Sequence, residues 1–369
     1  MKKKKLIILG IRGVPANHGG FETFAEYLCK NLINRGWDVT VYCQKGTHGD
    51  IYESDWQGVK RIHIPVMNTG PLGTIIFDLK SVIHSLKHDG VFLTLGYNTA
   101  IFNLFYRVAG KVNIINMDGI EWKRKKWGLI AKTWFWLNEH FGCWFGNHLI
   151  ADHPNIENHL ATRVSRKKIT MIPYGGLAIN HANETILSQY QLKVDGYGLV
   201  IARAEPENSI LEIIRAFSSK KRKEKLVVLG RFDKENVYHQ QVLASSSEDV
   251  IFLGAIYEPE SVAALRFYSR FYVHGHQVGG TNPSLVEALG AGCAVLAHDN
   301  PFNRWVAGDA ALYFDCVSNA EKLMDKLFID DQLQARLKKE AGVNFNQRFQ
   351  WKYILSKYES LLINFSSDI

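Results

Sequence analysis

The feature that most restricts this chain is the recurrence of short, continuous apolar runs separated by helix-length segments. Runs of this kind occur at 5–10, 38–43, 59–64, 90–95, 112–117, 147–152 and 169–172, and again at 197–202, 225–230, 249–253, 270–274, 294–297 and 311–314. A run such as Leu226-Val227-Val228-Leu229 has no polar alternation, so as a strand it must be covered on both faces. Covered strands alternating with helices make a parallel sheet with helices on either side. At roughly 100–200 residues per domain, 369 residues imply two such domains. The predicted class is α/β, as two doubly wound Rossmann-like domains. The stretch 175–196 opens on Gly175-Gly176, is polar and weakly periodic, and is expected to connect them. The domains are then 1–175 and 176–345. A helical segment at 346–369, carrying Trp351, Tyr353, Ile354, Tyr358, Leu361 and Leu362, is expected to pack back on the first domain. Sheets of this kind bind ligands at the carboxyl ends of their strands. Each half should present a crevice there, the two facing each other across a cleft.

Composition removes other classes. Hydrophobic residues make up 46% and charged residues 22%, which is ordinary for a globular protein and excludes disordered, collagenous and coiled-coil chains. No apolar run approaches the roughly 18 residues of a membrane span. The basic, then apolar, opening from Lys2 to Gly10 is too short for a signal peptide and reads as a first buried strand. The cysteines, Cys29, Cys43, Cys143, Cys293 and Cys316, form no CxxC pair, as expected of unpaired thiols in a reducing cytosol. A net charge of +8 favours a polyanion, an anionic membrane face or a phosphorylated substrate.

Two loops carry the chemistry. The first, Gly10-Ile11-Arg12-Gly13-Val14-Pro15-Ala16-Asn17-His18-Gly19-Gly20-Phe21-Glu22-Thr23, runs from a strand into a helix. Paired glycines there bare backbone N–H groups to an anion, and the helix dipole adds attraction. The spacing is not GxGxxG, and the second strand ends Tyr42-Cys43-Gln44-Lys45 without the acid that binds a nicotinamide ribose, which argues against a dinucleotide. The second loop, His274-Gly275-His276-Gln277-Val278-Gly279-Gly280-Thr281-Asn282-Pro283, follows an apolar strand and ends on a helix-starting proline. Gly279, Gly280, Thr281 and Asn282 are placed to bind phosphate oxygens. Glu287, about one turn into that helix among Leu285, Val286, Ala288 and Leu289, can accept both hydrogen bonds of a ribose diol. His274 and His276 are assigned to substrate hydrogen bonding rather than metal, since no third ligand lies at zinc spacing.

The pattern over 272–299 resembles the nucleotide-sugar site of glycosyltransferase family 4, a GT-B family, and the first loop resembles that family's donor loop. More narrowly, Gly10–Thr23, Asn116-Met117-Asp118-Gly119-Ile120-Glu121-Trp122-Lys123-Arg124, Ala202-Arg203-Ala204-Glu205-Pro206-Glu207-Asn208 and Gly279–Ser284 resemble bacterial rhamnosyltransferases that build cell-surface polysaccharides. The resemblance implies a retaining sugar transfer by front-face attack, with the leaving phosphate accepting the proton and no covalent nucleophile. Glu287 matches the glutamate that holds the nucleotide ribose, while the family's other glutamate, eight positions before it, falls on Gly279. Arg203 matches the family's arginine, and its lysine falls on Asn208. Arg231 is the candidate replacement for that lysine.

Cleaving a sugar–diphosphate bond leaves charge on the diphosphate. The sequence has no Asp-x-Asp motif to hold a metal there. Fixed positive charge and backbone dipoles are the alternative: Arg203, Arg231, Gly279, Gly280, Thr281 and Asn282, with Gly19 and Gly20 closing over the diphosphate. His276 is assigned to the donor. No cofactor beyond the donor, and no metal, is expected. Asp118, on the loop face of the first domain, is the candidate for orienting or deprotonating the acceptor hydroxyl; as the residue before Gly119 it also reads as a turn former.

Residues 122–145 hold five of the nine tryptophans. Trp127, Ile130, Trp134, Leu137, Phe141 and Trp144 recur at helical spacing and are expected to form a core-facing stripe. The flanking Lys123, Arg124, Lys125 and Lys126, with Leu129, Phe135 and Trp136 on other faces, fit docking on an anionic membrane surface. No nucleic-acid signature accompanies them. The expectation is a cytoplasmic enzyme, peripheral on the inner face of the cell membrane. It would transfer L-rhamnose from dTDP-L-rhamnose to a sugar on a polyprenyl diphosphate. Its rivals are a UDP- or GDP-hexosyltransferase, an epimerase, a non-catalytic nucleotide-sugar binder and, most distantly, an NAD-dependent oxidoreductase.

Overall fold

The structure is a computed structural model in which residues 3–17, 19–68 and 70–366 are described. His18 of the first loop and 367–369 of the last segment lie outside the described residues. The chain divides into two compact units, Met1–Pro173 with Trp351–Ile369, and Tyr174–Gln350.

The first unit is built on eight strands: β1 (Lys5–Leu9), β2 (Asp38–Lys45), β3 (Tyr52–Trp56), β4 (Val59–Pro65), β5 (Val91–Leu95), β6 (Asn113–Asn116), β7 (His148–Ala151) and β8 (Ile169–Met171). They lie in the order β3-β4-β2-β1-β5-β6-β7-β8. Pairing is parallel, Leu6 opposite Val39 on one side and Val91 on the other, except that β3 runs antiparallel to β4. β3 is absent from the predicted strands because it is an edge strand with no fully buried residue, so burial leaves no apolar signature on it. Gln57 (φ +52°) and Gly58 (φ +83°) make its two-residue turn, whose left-handed backbone matches the twist of a hairpin.

The second unit holds β9 (Tyr197–Ile201), β10 (Lys225–Leu229), β11 (Val250–Gly254), β12 (Phe271–His274), β13 (Val295–His298) and β14 (Ala311–Phe314). All are parallel, in the order β11-β10-β9-β12-β13-β14. Successive side chains of β10 enter different cores: Leu226 and Val228 pack with Ile213, Phe217 and Leu296, whereas Val227 and Leu229 pack with Leu199, Leu265 and Tyr272. Two apolar faces on one strand are what the unbroken run encodes.

Two expectations are corrected. The stretch 175–196, expected to connect the two domains, belongs to the second unit. Ile179 N–H donates to Gly290 O (2.8 Å) and Gly176 N–H to Phe349 O (2.8 Å), and Leu187, in a short helix at Thr185–Gln189, packs beneath the second sheet. The last segment does not begin at 346 either. The helix Asp331–Arg348 ends, Phe349 drops into the second unit's core, and a separate helix starts at Trp351. Within the first unit that helix meets Gly20–Asn34: the rings of Phe24 and Tyr358 are 4.4 Å apart, Tyr27 stacks on Trp351 at 5.0 Å, and Arg35 pairs with Glu359 at 3.1 Å.

Candidate active site

In the second sheet the chain leaves β9 towards β10 and β11, then returns to add β12 on the other side. The gap above β9 and β12 is therefore the topological switch point, where such sheets open a crevice. The loops there are tied tightly. A Cβ on Gly275 would fall 2.1 Å from Asn208 O, so only glycine lets the two loops pass. Asn208 is buried and its Nδ2 donates to Arg203 O (2.9 Å). The asparagine at the family's lysine position is thus spent on shaping the loop. Gln277 braces the other side, its Nε2 donating to Ser209 Oγ (2.9 Å) and its N–H to Glu207 O (2.9 Å). Arg203 and Arg231 lie exposed just past the ends of neighbouring strands β9 and β10, and neither forms an ion pair among the described residues.

Beyond His274 the chain turns through Gly279 at φ +138° and enters the helix Pro283–Gly290. Asn282 Oδ1 accepts from Ser284 N–H (3.1 Å), so Asn282 caps the helix. Tyr272 Oη and Ser284 Oγ lie 2.5 Å apart, and Ser284 Oγ donates to Ile201 O (3.2 Å), fastening the helix start to the end of β9. Thr281 is buried while Gly279 and Gly280 are partly open. A capped helix start behind a glycine turn is a geometry that suits anion binding.

His274 is buried, and neither ring nitrogen has a hydrogen-bond partner. It stacks on His276 with centroids 4.3 Å apart. Burial, reinforced by His276 and then His298, pushes its pKa well below the usual histidine value, so the ring is neutral. His276 is held through its carbonyl, which accepts from Asn300 and Asn303 Nδ2, both at 2.9 Å.

Glu287 has a partner that sequence reasoning missed. Arg266 Nη2 is 2.6 Å from Glu287 Oε2, with the arginine side chain 8% and the glutamate 33% exposed. A buried guanidinium beside a half-open carboxylate fixes its direction through a charge-assisted hydrogen bond. Arg266 lies in the helix Pro259–Phe267, one strand before the helix that carries Glu287, with no motif around it, so no sequence signal marked the pair.

In the first unit, Asp118 sits just past β6 at φ +51°, its N–H donating to Asn116 Oδ1 (3.1 Å), while Asn116 Nδ2 donates to Tyr358 Oη (2.8 Å). It is the turn residue that Asp-Gly implies. It is also a perturbed acid: burial first, then Glu121 and Asp152, push its pKa up to about 7. Glu121 itself is paired with Arg124 (2.7 Å) and accepts from Trp127 Nε1 (3.2 Å). Gly19 and Gly20 stand at the start of the helix Gly20–Asn34, but Glu22 occupies that first turn, buried, with Oε1 accepting from Arg12 N–H (3.1 Å). An incoming phosphate there meets a carboxylate as well as the amides.

The expected core stripe of 122–145 is overturned. In the helix Leu129–Phe145 the buried residues are Asn138, Glu139, Gly142 and Cys143, whereas Ile130 is 90% and Trp144 56% exposed. The polar face turns inward because Glu139 is an internal anchor: it accepts from Trp122 Nε1 (2.9 Å) and pairs with Arg163 (2.6 Å) and His159 (2.8 Å). Among the described residues no helix is long and apolar enough to cross a membrane, and no group of three or more His, Cys, Asp or Glu could hold a metal ion.

Residues 3–177 match the family described as a domain of unknown function, DUF1972, and residues 188–342 match glycosyl transferases group 1. No curated protein sequence matches the chain. Among solved structures, the sucrose-phosphate synthase of Thermosynechococcus elongatus superposes with a TM-score of 0.82 over 100% of both chains at 14% identity. HepE of Anabaena, in complex with UDP and glucose, gives 0.76 over 98% of this chain and 99% of its own at 15% identity. The UDP-forming α,α-trehalose-phosphate synthase of Burkholderia xenovorans, in complex with glucose-6-phosphate, gives 0.76 over 97% and 99% at 10% identity. Residues 188–342 thus match the group 1 glycosyltransferase domain, and the chain has the two-sheet α/β architecture of the GT-B fold.

Proposed function

We propose that the protein transfers a hexose, L-rhamnose by preference, from a nucleoside-diphosphate donor to a lipid-diphosphate-linked sugar during cell-surface polysaccharide synthesis. The observation that carries this is the second unit's switch point: a capped helix start behind the Gly279-Gly280 turn, with Glu287 held by Arg266 a turn further on. The first element suits a diphosphate and the second a ribose diol. Arg203 and Arg231, exposed and free of ion pairs among the described residues, supply cationic charge for the departing diphosphate. The stacked His274–His276 pair, with His274 neutral, offers sugar hydroxyls both a donor and an acceptor. Attack is by the acceptor oxygen on the anomeric carbon from the face the diphosphate leaves. The acceptor proton passes to the departing phosphate oxygen, and Asp118 orients the acceptor hydroxyl. The preference for rhamnose rests on the four quoted segments that resemble rhamnosyltransferases and on Gly279 in place of the family's carboxylate.

The exposed apolar face of Leu129–Phe145, flanked by Lys123, Lys125 and Lys126, supports a peripheral position on an anionic membrane, where a lipid-linked acceptor resides. A thermal-shift panel of dTDP-, UDP- and GDP-sugars, followed by turnover assays with EDTA present, tests the whole proposal. The expected result is stabilisation and slow hydrolysis or transfer of dTDP-L-rhamnose. Donor conversion without an acceptor into an epimer, or stabilisation with no turnover, overturns it. Glu287→Gln is expected to weaken nucleotide binding; unchanged affinity removes Glu287 from the site.

A further inference from the structure

The first sheet has a switch point of its own. Its chain leaves β1 towards β2 and later returns to place β5 on the other side of β1, so the crevice of this unit opens above Leu9 and Thr94. A cavity of about 40 Å³ lies there, its wall completed by the helix Gly70–Ser85. Gly10 forms its floor, since a Cβ there would sit 2.3 Å from Leu95 O. Four features of the lining identify what it accepts.

A carboxyl faces it. Asp78 is 9% exposed and accepts a single side-chain hydrogen bond, from Thr99 Oγ1 (2.7 Å). An amide faces it too: Asn103 is 2% exposed, and its Nδ2 has no hydrogen-bond partner. Thr74, Thr94, Asn98 and Thr99 complete the polar lining, the Thr94 hydroxyl donating to Asn113 Oδ1 (3.0 Å) and that of Thr74 to Gly70 O (3.3 Å), so both can only accept from a ligand. No lysine, arginine or histidine belongs to that lining. A buried donor left unpaired is costly unless a ligand or water meets it. An anion is unsuited, because no cationic side chain lines the cavity to meet it. A purely apolar group is unsuited, because it would leave both the carboxyl and the amide unmet. A divalent cation is unsuited, because one carboxylate among neutral oxygens is too poor a donor set. Groups that both give and accept hydrogen bonds fit. A water needs roughly 10–15 Å³ in this measure, so the cavity admits a hydroxymethyl group or a pair of ring hydroxyls, with the rest of a sugar ring outside.

We propose that the cavity between the ends of β1 and β5 is a hydroxyl-reading subsite for the edge of a neutral saccharide, with Asp78 accepting from one hydroxyl and Asn103 donating to another. It deepens the transferase proposal in its ligand class and needs no donor to be tested. Asp78, Asn103 and Thr74 are then specificity residues for the sugar that is not the donor.

Saturation-transfer NMR on the full chain, with free L-rhamnose, D-glucose, D-galactose, D-mannose and N-acetylglucosamine as probes, reads the subsite directly. At least one probe is expected to bind in the millimolar range. Asp78→Asn keeps the shape but replaces the acceptor, and should weaken binding by about tenfold or more. Thr74→Phe, at a half-open position, should block the mouth and abolish the signal, while the thermal shift given by dTDP or UDP is unchanged. A saccharide signal that survives both substitutions, or no saccharide signal in a chain that turns over a nucleotide sugar, overturns the subsite and leaves the transferase proposal standing. Saccharide binding lost in both variants, in a chain that turns over no nucleotide sugar, supports the subsite and overturns the transferase.

Discussion

At the scale of single residues, the site depends on pairs rather than on isolated groups. Glu287 was legible from its neighbours, because a carboxylate between Val286 and Ala288 needs a reason to be there. Arg266 was not, because contact between a helix residue and one in a later helix leaves no local spacing to read. Arg266→Met is expected to raise the Kd for dTDP or UDP by about tenfold, since the unclamped carboxylate loses both direction and charge support. The double variant with Glu287→Gln should be no worse than the worse single one, a non-additivity that isothermal titration calorimetry measures through the four-member cycle. Asp118 gives the pH test. Its folded pKa is raised to about 7, so the carboxylate is fully formed only above that pH. Transfer is expected to rise through pH 7, and Asp118→Asn should lose that rise and run roughly 10²-fold slower. A pH–rate profile that keeps its rise in the variant removes Asp118 from the acceptor's chemistry.

At the scale of elements, legibility followed burial. Each run with two apolar faces became a strand, because a strand buried on both sides has no polar position to disguise it. β3 escaped for the opposite reason, and only the turn at Gln57-Gly58 announces it. The helix Leu129–Phe145 was misread because its apolar residues do share one side, and a stripe of that kind ordinarily faces a core. What reverses it is Glu139, whose bonds to Trp122, His159 and Arg163 give the polar side more to gain inside than the tryptophans have. The outward apolar surface makes a clear prediction. Flotation with vesicles containing anionic lipid should be lost when Lys123, Lys125 and Lys126 are changed to Glu, each basic group contributing about 1 kcal/mol. It should also fall when Ile130, the most exposed of the set, is changed to Asp. Flotation undiminished in both variants means this helix is not the anchor.

At the scale of the whole molecule, the second unit is continuous in sequence and the first is not. The change of unit falls at Phe349 and Gln350, where the hydrophobic periodicity runs on without a gap, which is why one long helical segment was expected. The aromatic contacts of Trp351 and Tyr358 make the final helix part of the first unit's core. Tyr358→Ala removes a buried ring and its bond to Asn116, and is expected to destabilise the first unit by roughly 3–5 kcal/mol, read as a lower urea midpoint. Nucleotide binding by the second unit should be unchanged below the transition.

A helix that closes an earlier core also sets an order of events during translation. The eight-stranded half emerges from the ribosome first, yet the partners that Tyr358 and Phe365 give to Asn116 of β6 and His148 of β7 arrive only after residues 351 onward have followed. The half synthesised in between has every strand it needs by residue 314 and can settle sooner. A nascent chain truncated at Gln350 and stalled on an added linker, so that all of it has left the exit tunnel, should therefore hold a protease-resistant C-terminal half joined to a still-digestible N-terminal one, the reverse of the usual first-made, first-folded sequence.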